Sequence, residues 1–159
     1  LDADFRNQFE AALRKYIVQL DKELSATPFG VPPTRGGWGG SAGVMDLGVR
    51  MYFLHKAFPD IVSKDYTLRV ANYILGTHPV SSSSYVSGVG TRSHLKAYGN
   101  NRADQSYIPG GVIPGYVIIQ PDFPECMDDF GFLWFTHEYV ITAASRWIVA
   151  ANAADALVR

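Results

Sequence analysis

Residues 77–133 show almost no helical or strand periodicity and are rich in glycine and proline. Such a stretch is far longer than the roughly 12–15 residues that a compact domain ordinarily leaves without secondary structure. We interpret it as a functional loop region. Val112, Ile113 and residues 117–119, on either side of Pro114-Gly115, are the places in it where we expect short strands. The core must therefore come from the rest of the chain.

Four other segments carry apolar residues at steps of three and four, the spacing of amphipathic helices. We predict these helices at residues 3–24, from 41 to about 58, from 63 or 64 to 75, and from 135 or 136 to 156. Asp2 or Asp4 is suited to cap the first helix, Ser41 the second and Thr136 the last, while Gly76 is suited to end the third. Helices of this length with no strand alternation between them indicate an all-α fold.

Four helices around so large a loop region make an awkward complete domain. We therefore expect residues 1–159 to be a fragment of a longer protein, forming part of a helical barrel whose loops build a cleft. More large apolar residues are present than four helices can cover alone, which predicts association with a missing part or with a second copy. The residues expected to be exposed in this way are Phe5, Phe9, Tyr52, Tyr73 and Trp147.

The bulk composition narrows the class of partner. Net charge is −1 and no Lys/Arg-rich block is present, which argues against nucleic acid and anionic membranes as partners. No apolar run is long enough to span a bilayer. Cys126 is the single cysteine, so no disulfide forms within the chain. Aromatic residues make up 13% of the chain, which favours an aromatic-lined interior or cleft.

The residues that carry chemistry concentrate between Asp128 and Tyr139. Two adjacent carboxylates precede a dense aromatic run, and Glu138 follows it. Aromatic rings are suitable platforms for sugar rings, and apolar surroundings favour the protonated form of a carboxyl group. A general acid for glycosidic cleavage needs that environment. The alternative is an aromatic core segment followed by a solvated Glu at the start of a helix.

The order of motifs is more specific than any one of them. Trp38-Gly39-Gly40-Ser41 opens one helix, Tyr73-Ile74-Leu75-Gly76-Thr77-His78-Pro79 closes the next, and Ser84-Tyr85-Val86-Ser87-Gly88-Val89-Gly90 follows. This order resembles the carboxyl-terminal part of glycoside hydrolase family nine, the cellulase-type enzymes with an (α/α)6 barrel. In that family a His-containing loop, an Asp pair and the catalytic Glu come next, and Asp128-Asp129 and His137-Glu138 fall in that order here. The resemblance covers most of the chain from Trp38 onward.

The resemblance is imperfect near the expected acid. His137 stands where the family has Asn, Phe130 stands where it has Arg, and the spacing is longer by about one residue. The family's His-His-Arg loop is reduced to Arg92-Ser93-His94, with Arg102 as a further guanidinium donor. These departures suggest a divergent branch that acts on a glucan or hemicellulose other than plain cellulose.

The resemblance implies a role for each candidate residue. Glu138 would be the general acid, and Asp128 and Asp129 would orient it or hold a loop, although an Asp pair is also common in turns. The residues expected to contact the sugar are Trp38, Tyr85, His94, Arg102, Trp134 and His137, with Tyr107 as a further aromatic candidate. Single aromatic residues are more often core than platform, and Trp38, flanked by glycines, is the strongest exception.

One physical tension remains at Glu138. If Thr136 caps the last helix, Glu138 lies in its first turn, where the helix dipole favours the ionised carboxylate. Burial or a nearby carboxylate would then have to outweigh the dipole for an acid.

The sequence thus predicts an inverting, endoglucanase-like glycosidase for β-linked glucan-type polysaccharide, with no cofactor and no metal. The family's catalytic Asp base lies on a segment that no part of this chain matches, so the isolated chain should be inactive. Expected partners are a polysaccharide or oligosaccharide and the remaining amino-terminal part. The resemblance implies a secreted or periplasmic location. The alternatives are a non-catalytic carbohydrate-binding helical module and, with less support, a polysaccharide lyase, which would need a Tyr or His base.

Overall fold

The computed structural model describes residues 2–34, 38–78, 82–99, 105–116 and 134–159. Within these ranges the elements are helices α1 (Ala3–Ser25), α2 (Ser41–Ala57), α3 (Asp65–Ile74), α4 (Trp134–His137) and α5 (Ile141–Val158), and strands β1 (Ala97–Tyr98) and β2 (Gln105–Ser106). The two short strands pair antiparallel, with Ala97 opposite Ser106. The predicted all-α class with long irregular loops is confirmed.

Helix α1 begins where the sequence predicts. The Asp2 carboxylate accepts a hydrogen bond from the amide of Asp4, which caps the first turn. Leu13, Leu20 and Leu24 are buried along one face. Phe5 is 53% exposed, in agreement with the expected surplus of apolar surface on this helix.

Helices α2, α3 and α5 pack against one another and form the centre of the apolar core. Met45 and Met51 of α2 and Val70 and Ile74 of α3 are almost fully buried. Each such side chain contributes about 1.5–3 kcal/mol through burial. The hydroxyl of Thr67 donates to the carbonyl of Gly48, so a buried polar group on α3 finds its partner on α2. Gly76 has a φ of 124° just after α3, as the sequence predicts for the end of that helix.

Helix α5 agrees with the sequence pattern in part. The pattern predicts an inner stripe of Val140, Ala144, Trp147, Ile148 and Ala151, and Val140, Ala144 and Trp147 do pack against the core. Ile148 is wrong, because it is 63% exposed, and the fully buried residues of α5 are Ala143, Ala150 and Ala153. The small alanines let α5 approach its neighbours closely. Ala144, Trp147 and Ala151 lie at the margin of this face and are half-buried.

The expected surplus of apolar surface is real only in part. Phe5 and Phe9 are exposed, and Tyr52 and Trp147 are half-buried. Tyr73 was predicted wrongly, because it is 2% exposed and meets the rings of His78 and Tyr85 edge to face.

The described part of residues 77–133 contains strands in places that the sequence did not indicate. Val112 forms one bridge with Val86 and not a strand, and residues 117–119 lie outside the described ranges. In the parts of the chain that the structure describes, no helix is long and apolar enough to cross a membrane.

Candidate active site

Glu138 does not lie in a helix, contrary to the prediction for the last segment. The four-residue helix α4 ends at His137, and α5 begins at Ile141 after the extended residue Val140 (φ −116°, ψ 119°). Thr136 therefore caps no long helix, and the dipole of α5 does not act on Glu138 from within a first turn. The predicted tension between a helix dipole and an acid role is removed by this break.

Pairing with distant segments explains the break. Glu138 bridges Tyr98 of β1, and the amide of Tyr139 donates to the carbonyl of Tyr98 over 2.9 Å. The amide of Val140 in turn donates to the carbonyl of Val112. These bonds take up backbone groups that a continuous helix would use for itself. Aromatic and β-branched residues such as Tyr139 and Val140 also favour extended backbone.

The segment that carries Glu138 is joined to the start of α2 as well. The amide of Gly115 donates to the carbonyl of Thr136, and the amide of Gly39 donates to the carbonyl of Phe135. Ser41 is buried at the first position of α2, where its amide binds the carbonyl of Pro114 and its hydroxyl binds that of Ile113 over 2.8 Å. The predicted cap role of Ser41 is therefore wrong: Gly40 occupies the cap position, and Ser41 ties α2 to the loop.

His137, the residue before Glu138, belongs to a buried cluster of three histidines and three tyrosines. We call it the His–Tyr cluster; its members are Tyr73, His78, Tyr85, His94, Tyr116 and His137. The rings of His94 and His137 meet edge to face with centroids 5.0 Å apart. The ring of His78 stacks on Tyr85 with centroids 4.4 Å apart. Aromatic pairs in these geometries contribute about 0.5–1.5 kcal/mol beyond burial.

Hydrogen bonds fix several members of the His–Tyr cluster. Nδ1 of His137 lies 2.7 Å from the hydroxyl of Thr136. The amide of Tyr116 donates to the hydroxyl oxygen of Tyr85. Nε2 of His78 lies 2.8 Å from the carbonyl of Ser83, which can only accept, so this nitrogen carries the proton.

Burial favours the uncharged forms of His78, Tyr73 and Tyr85 in this cluster. It is the main cause that lowers the pKa of His78 to about 4, and the nearby His94 lowers it further, while the bond to Ser83 acts in the opposite direction. Burial likewise raises the pKa of Tyr73 and of Tyr85 well above the usual range for phenols. At neutral pH His78 therefore packs as a neutral ring.

Gly115 shows how tightly the cluster is closed. Its φ is 77°, a backbone conformation that favours glycine. A Cβ atom at this position would collide with the ring of Tyr85. The Pro114-Gly115 turn thus packs against the ring of Tyr85, and the amide of Gly115 donates to the carbonyl of Thr136.

The sequence-predicted sugar contacts are distributed over two environments. Tyr85, His94 and His137 are 0%, 3% and 0% exposed, so in this structure they present no face to solvent. Trp38 is 40% exposed and lines an open cavity of about 490 Å³ between α1 and α2, together with Tyr16, Glu23 and Arg50. Trp38 and Tyr107, which is 48% exposed, therefore present surface to a ligand, whereas the other three are buried.

Other predicted residues fall outside the described ranges. These are Asp128, Asp129 and Arg102, and for Trp134 only the backbone is described, within α4. Among the residues that are described, no three His, Cys, Asp or Glu side chains are grouped so as to hold a metal ion.

Sequence reasoning missed four residues that shape this region. His78, Tyr116, Ser87 and Tyr139 all contact the cluster or the segment of Glu138. His78 and Ser87 lie inside the two motifs on which the family resemblance rests, so the sequence could have marked both as candidate site residues. Tyr116 follows Pro114-Gly115 without any periodic pattern, and only the fold shows its neighbours.

Comparison with known proteins establishes the fold. No model of a protein family matches the sequence, and the search of curated proteins found no match. Among solved structures, the chain is similar to AaCel9A in complex with cellobiose-like isofagomine, with a TM-score of 0.67 and 20% identity over 96% of this chain and 32% of that one. It is also similar to the catalytic domain of Clostridium thermocellum CelT, with a TM-score of 0.54 and 19% identity over 85% of this chain and 29% of that one.

These similarities confirm, at the level of the fold, the resemblance to catalytic domains of glycoside hydrolase family nine. The described helices match part of an (α/α)6 barrel. The chain spans about a third of the length of each similar structure.

Proposed function

We propose that the protein containing this chain is a glycoside hydrolase for β-linked glucan-type polysaccharides, and that Glu138 is its general acid. The observation that carries the proposal is the placement of Glu138. It is half-buried, outside any helix and bridged to Tyr98, and it directly follows His137 of the His–Tyr cluster. The fold around it is that of cellulase-type catalytic domains.

In the proposed reaction, Glu138 protonates the oxygen that leaves as the glycosidic bond breaks. An Asp outside this chain removes a proton from water on the opposite face of the sugar, which inverts the anomeric centre. In inverting enzymes the two carboxyl groups stand about 6.5–9.5 Å apart to leave room for that water. This chemistry needs no redox cofactor. Residues 1–159 then form the carboxyl-terminal portion of the catalytic domain.

The other residues support this acid from two sides. We assign Trp38 as a sugar platform because its ring is 40% exposed at a cavity whose loop is bonded, through Gly39, to the segment of Glu138. His94, His137 and Tyr85 are buried, so we assign them to supporting the segment of Glu138 instead of stacking on the sugar directly. Arg102, Trp134, Asp128 and Asp129 keep the roles that the resemblance implies.

The decisive experiment uses the full-length protein and a soluble β-glucan. Replacing Glu138 by Gln removes the proton but keeps the shape, so kcat should fall by about 10²–10⁴-fold, the usual contribution of general acid catalysis. Glu10→Gln is a matched control, since Glu10 is a half-buried carboxylate on α1 that pairs with Arg6 and does not line the Trp38 cavity. Unchanged hydrolysis in Glu138→Gln would contradict the proposal. The anomer first released, followed by NMR, tests inversion separately.

The isolated chain should show no hydrolysis, because the proposed base lies elsewhere. Hydrolysis by residues 1–159 alone, lost in Glu138→Gln, would place the base within this chain, with Asp128 and Asp129 as the first residues to test.

A second candidate is a non-catalytic carbohydrate-binding helical module. The exposed ring of Trp38 beside an open cavity favours it, since binding needs an aromatic surface but no acid. In that case Trp38→Ala would abolish glucan binding, whereas Glu138→Gln would change neither binding nor any activity. Calorimetric titration with a β-glucan oligosaccharide separates the two candidates.

The proposed partner, besides the saccharide, is the remaining amino-terminal part of the same protein. Phe5 and Phe9 of α1 and Ile141 and Ile148 of α5 expose apolar surface that further barrel helices would cover. Without them, residues 1–159 should associate with copies of themselves, which sedimentation velocity measures. A monomer at high concentration would argue for a self-contained module. A secreted or periplasmic location is proposed from the resemblance alone.

A further inference from the structure

Tyr139, the residue after Glu138, is held by hydrogen bonds of its side chain. The hydroxyl of Tyr139 lies 2.9 Å from the hydroxyl of Ser87, and it accepts a hydrogen bond from the amide of Ile108 over 3.2 Å. Since the oxygen of Tyr139 accepts from Ile108, its own proton is available to Ser87. One phenol thus connects three segments that are far apart in sequence.

The partners of Tyr139 are themselves fixed. Ser87 is fully buried, its amide donates to the carbonyl of Gly111, and its carbonyl accepts from the amide of Gly110. The amide of Gly111 donates to the carbonyl of Ile108. The ring of Tyr139 lies directly on Gly111, where a Cβ atom would collide with it. The tyrosine therefore fits a preformed socket made by Ser87, Ile108 and Gly111.

The socket fixes the backbone next to Glu138. His137 is fully buried on one side of Glu138 in sequence, and Tyr139 is anchored by its hydroxyl on the other. The pairing of Glu138 with Tyr98 fixes its backbone as well. The backbone of Glu138 and both of its neighbours in sequence are therefore held in place.

We infer that Tyr139 is a positioning residue, which through the Ser87–Ile108–Gly111 socket holds the carboxyl group of Glu138 at the leaving oxygen of the substrate. This inference rests on the proposed function. Tyr139 touches no substrate. It acts because a displacement of about 1 Å at a catalytic group can cost as much as 10²-fold in rate.

The test compares two substrates of the full-length protein that differ only in the leaving group. A 2,4-dinitrophenyl β-cellooligosaccharide releases a stable anion and needs no general acid, whereas an unsubstituted β-glucan oligosaccharide needs one. Tyr139→Phe keeps the ring and removes the hydroxyl. It should lower kcat about tenfold on the unsubstituted substrate, leave KM unchanged, and leave hydrolysis of the dinitrophenyl substrate within about twofold.

Two variants make the comparison specific. Tyr52→Phe removes the hydroxyl of a half-buried tyrosine on α2 and should leave the hydrolysis of both substrates unchanged. Ser87→Ala removes the other end of the hydrogen bond, so it should reproduce the selective loss. The double variant should lose no more than Tyr139→Phe alone, because that single change already removes the hydrogen bond to Ser87.

The outcomes separate this inference from the function on which it rests. If Glu138→Gln retains activity on the unsubstituted substrate, the proposed function fails and the positioning role fails with it. If Glu138→Gln loses activity while Tyr139→Phe does not, only the positioning role is overturned. Equal losses on both substrates in Tyr139→Phe, or a fall in its unfolding temperature that accounts for the loss, also overturn it. A loss confined to the unsubstituted substrate supports it.

Discussion

Helices α2, α3 and α5 and the loop network around Glu138 are held together by different interactions. Between the helices, apolar side chains such as Met45, Met51 and Val70 form the core, the hydroxyl of Thr67 adds a hydrogen bond to Gly48, and the backbone bonds within each helix are local. Around Glu138, backbone bonds join segments that lie far apart in sequence, including Tyr139 to Tyr98 and Gly115 to Thr136. The buried groups there are rings that also carry polar atoms.

The two kinds of interaction differ in how narrowly they fix the positions of atoms. Apolar packing tolerates small shifts, because the hydrophobic effect has no direction. Hydrogen bonds depend on distance and angle, so a network of them fixes backbone positions more narrowly. A carboxyl group that must reach one oxygen atom of a substrate is therefore better placed on a hydrogen-bond network than on apolar packing alone. The helices supply the stability on which that network depends.

The largest effect is expected where the network is tightest. Gly115→Ala adds a Cβ against the ring of Tyr85 at a φ of 77°. The left-handed conformation costs a residue with a side chain about 1–2 kcal/mol, and overpacking adds about 1–3 kcal/mol. We expect the free energy of unfolding to fall by about 3–4 kcal/mol in urea denaturation. A loss below about 1 kcal/mol would show that the network is as tolerant as the helices.

The next effect depends on pH. The pKa of His78 is about 4 in the fold and about 6.5 when exposed, so between these values the unfolded chain binds the extra proton. The stabilisation from a neutral His78 is complete above pH 6.5 and is lost as the pH falls towards 4, to a total of roughly 3 kcal/mol. The rings around it are Tyr73, Tyr85, Tyr116 and His94.

This pH dependence is measured by urea denaturation at pH 7 and pH 4.5. His78→Gln does not titrate and should lose less stability between the two pH values than the wild type. Identical losses in both proteins would show that other groups cause the acid sensitivity.

A smaller effect is expected at the junction of the two regions. Ser41→Ala removes the hydroxyl that donates to the carbonyl of Ile113 and leaves that buried oxygen without this donor. The expected loss is about 1–2 kcal/mol in the free energy of unfolding. Ser145→Ala is the matched control, because the exposed hydroxyl of Ser145 binds only the carbonyl of Thr142 within α5. Equal losses of stability in Ser41→Ala and Ser145→Ala would mean that the hydrogen bond from Ser41 to Ile113 adds nothing to the free energy of unfolding.

The smallest expected effect has the opposite sign. Gly43 lies in α2, and a Cβ there would meet no atom within 4 Å. Gly43→Ala should therefore stabilise the protein by about 0.5–1 kcal/mol, since alanine favours helix and restricts the unfolded chain. Thermal unfolding should shift upward. A downward shift would show that α2 is constrained at this face by more than its own helix.

The sequence predicted the helical scaffold well because its signals are local. The three- and four-residue spacing placed α1, α2 and α3 nearly at their observed ends, and Asp2 caps α1 as expected. Glu138 was singled out from its aromatic surroundings and from the order of motifs, and its catalytic role stays a prediction. The error at Ile148 arose because periodicity indicates an apolar face but not which neighbours cover it.

By itself, then, the sequence determined the all-α class, the helices up to residue 76 and the resemblance to cellulase-type catalytic domains. Only the tertiary structure decided that the last helix breaks at residues 138–140, that Tyr85, His94 and His137 are buried, and that Tyr139 is anchored to Ser87. Helix formation is governed by residues within one or two turns of one another. The break and the cluster depend on hydrogen bonds and ring contacts between residues dozens of positions apart, and such contacts leave no periodic mark on the sequence.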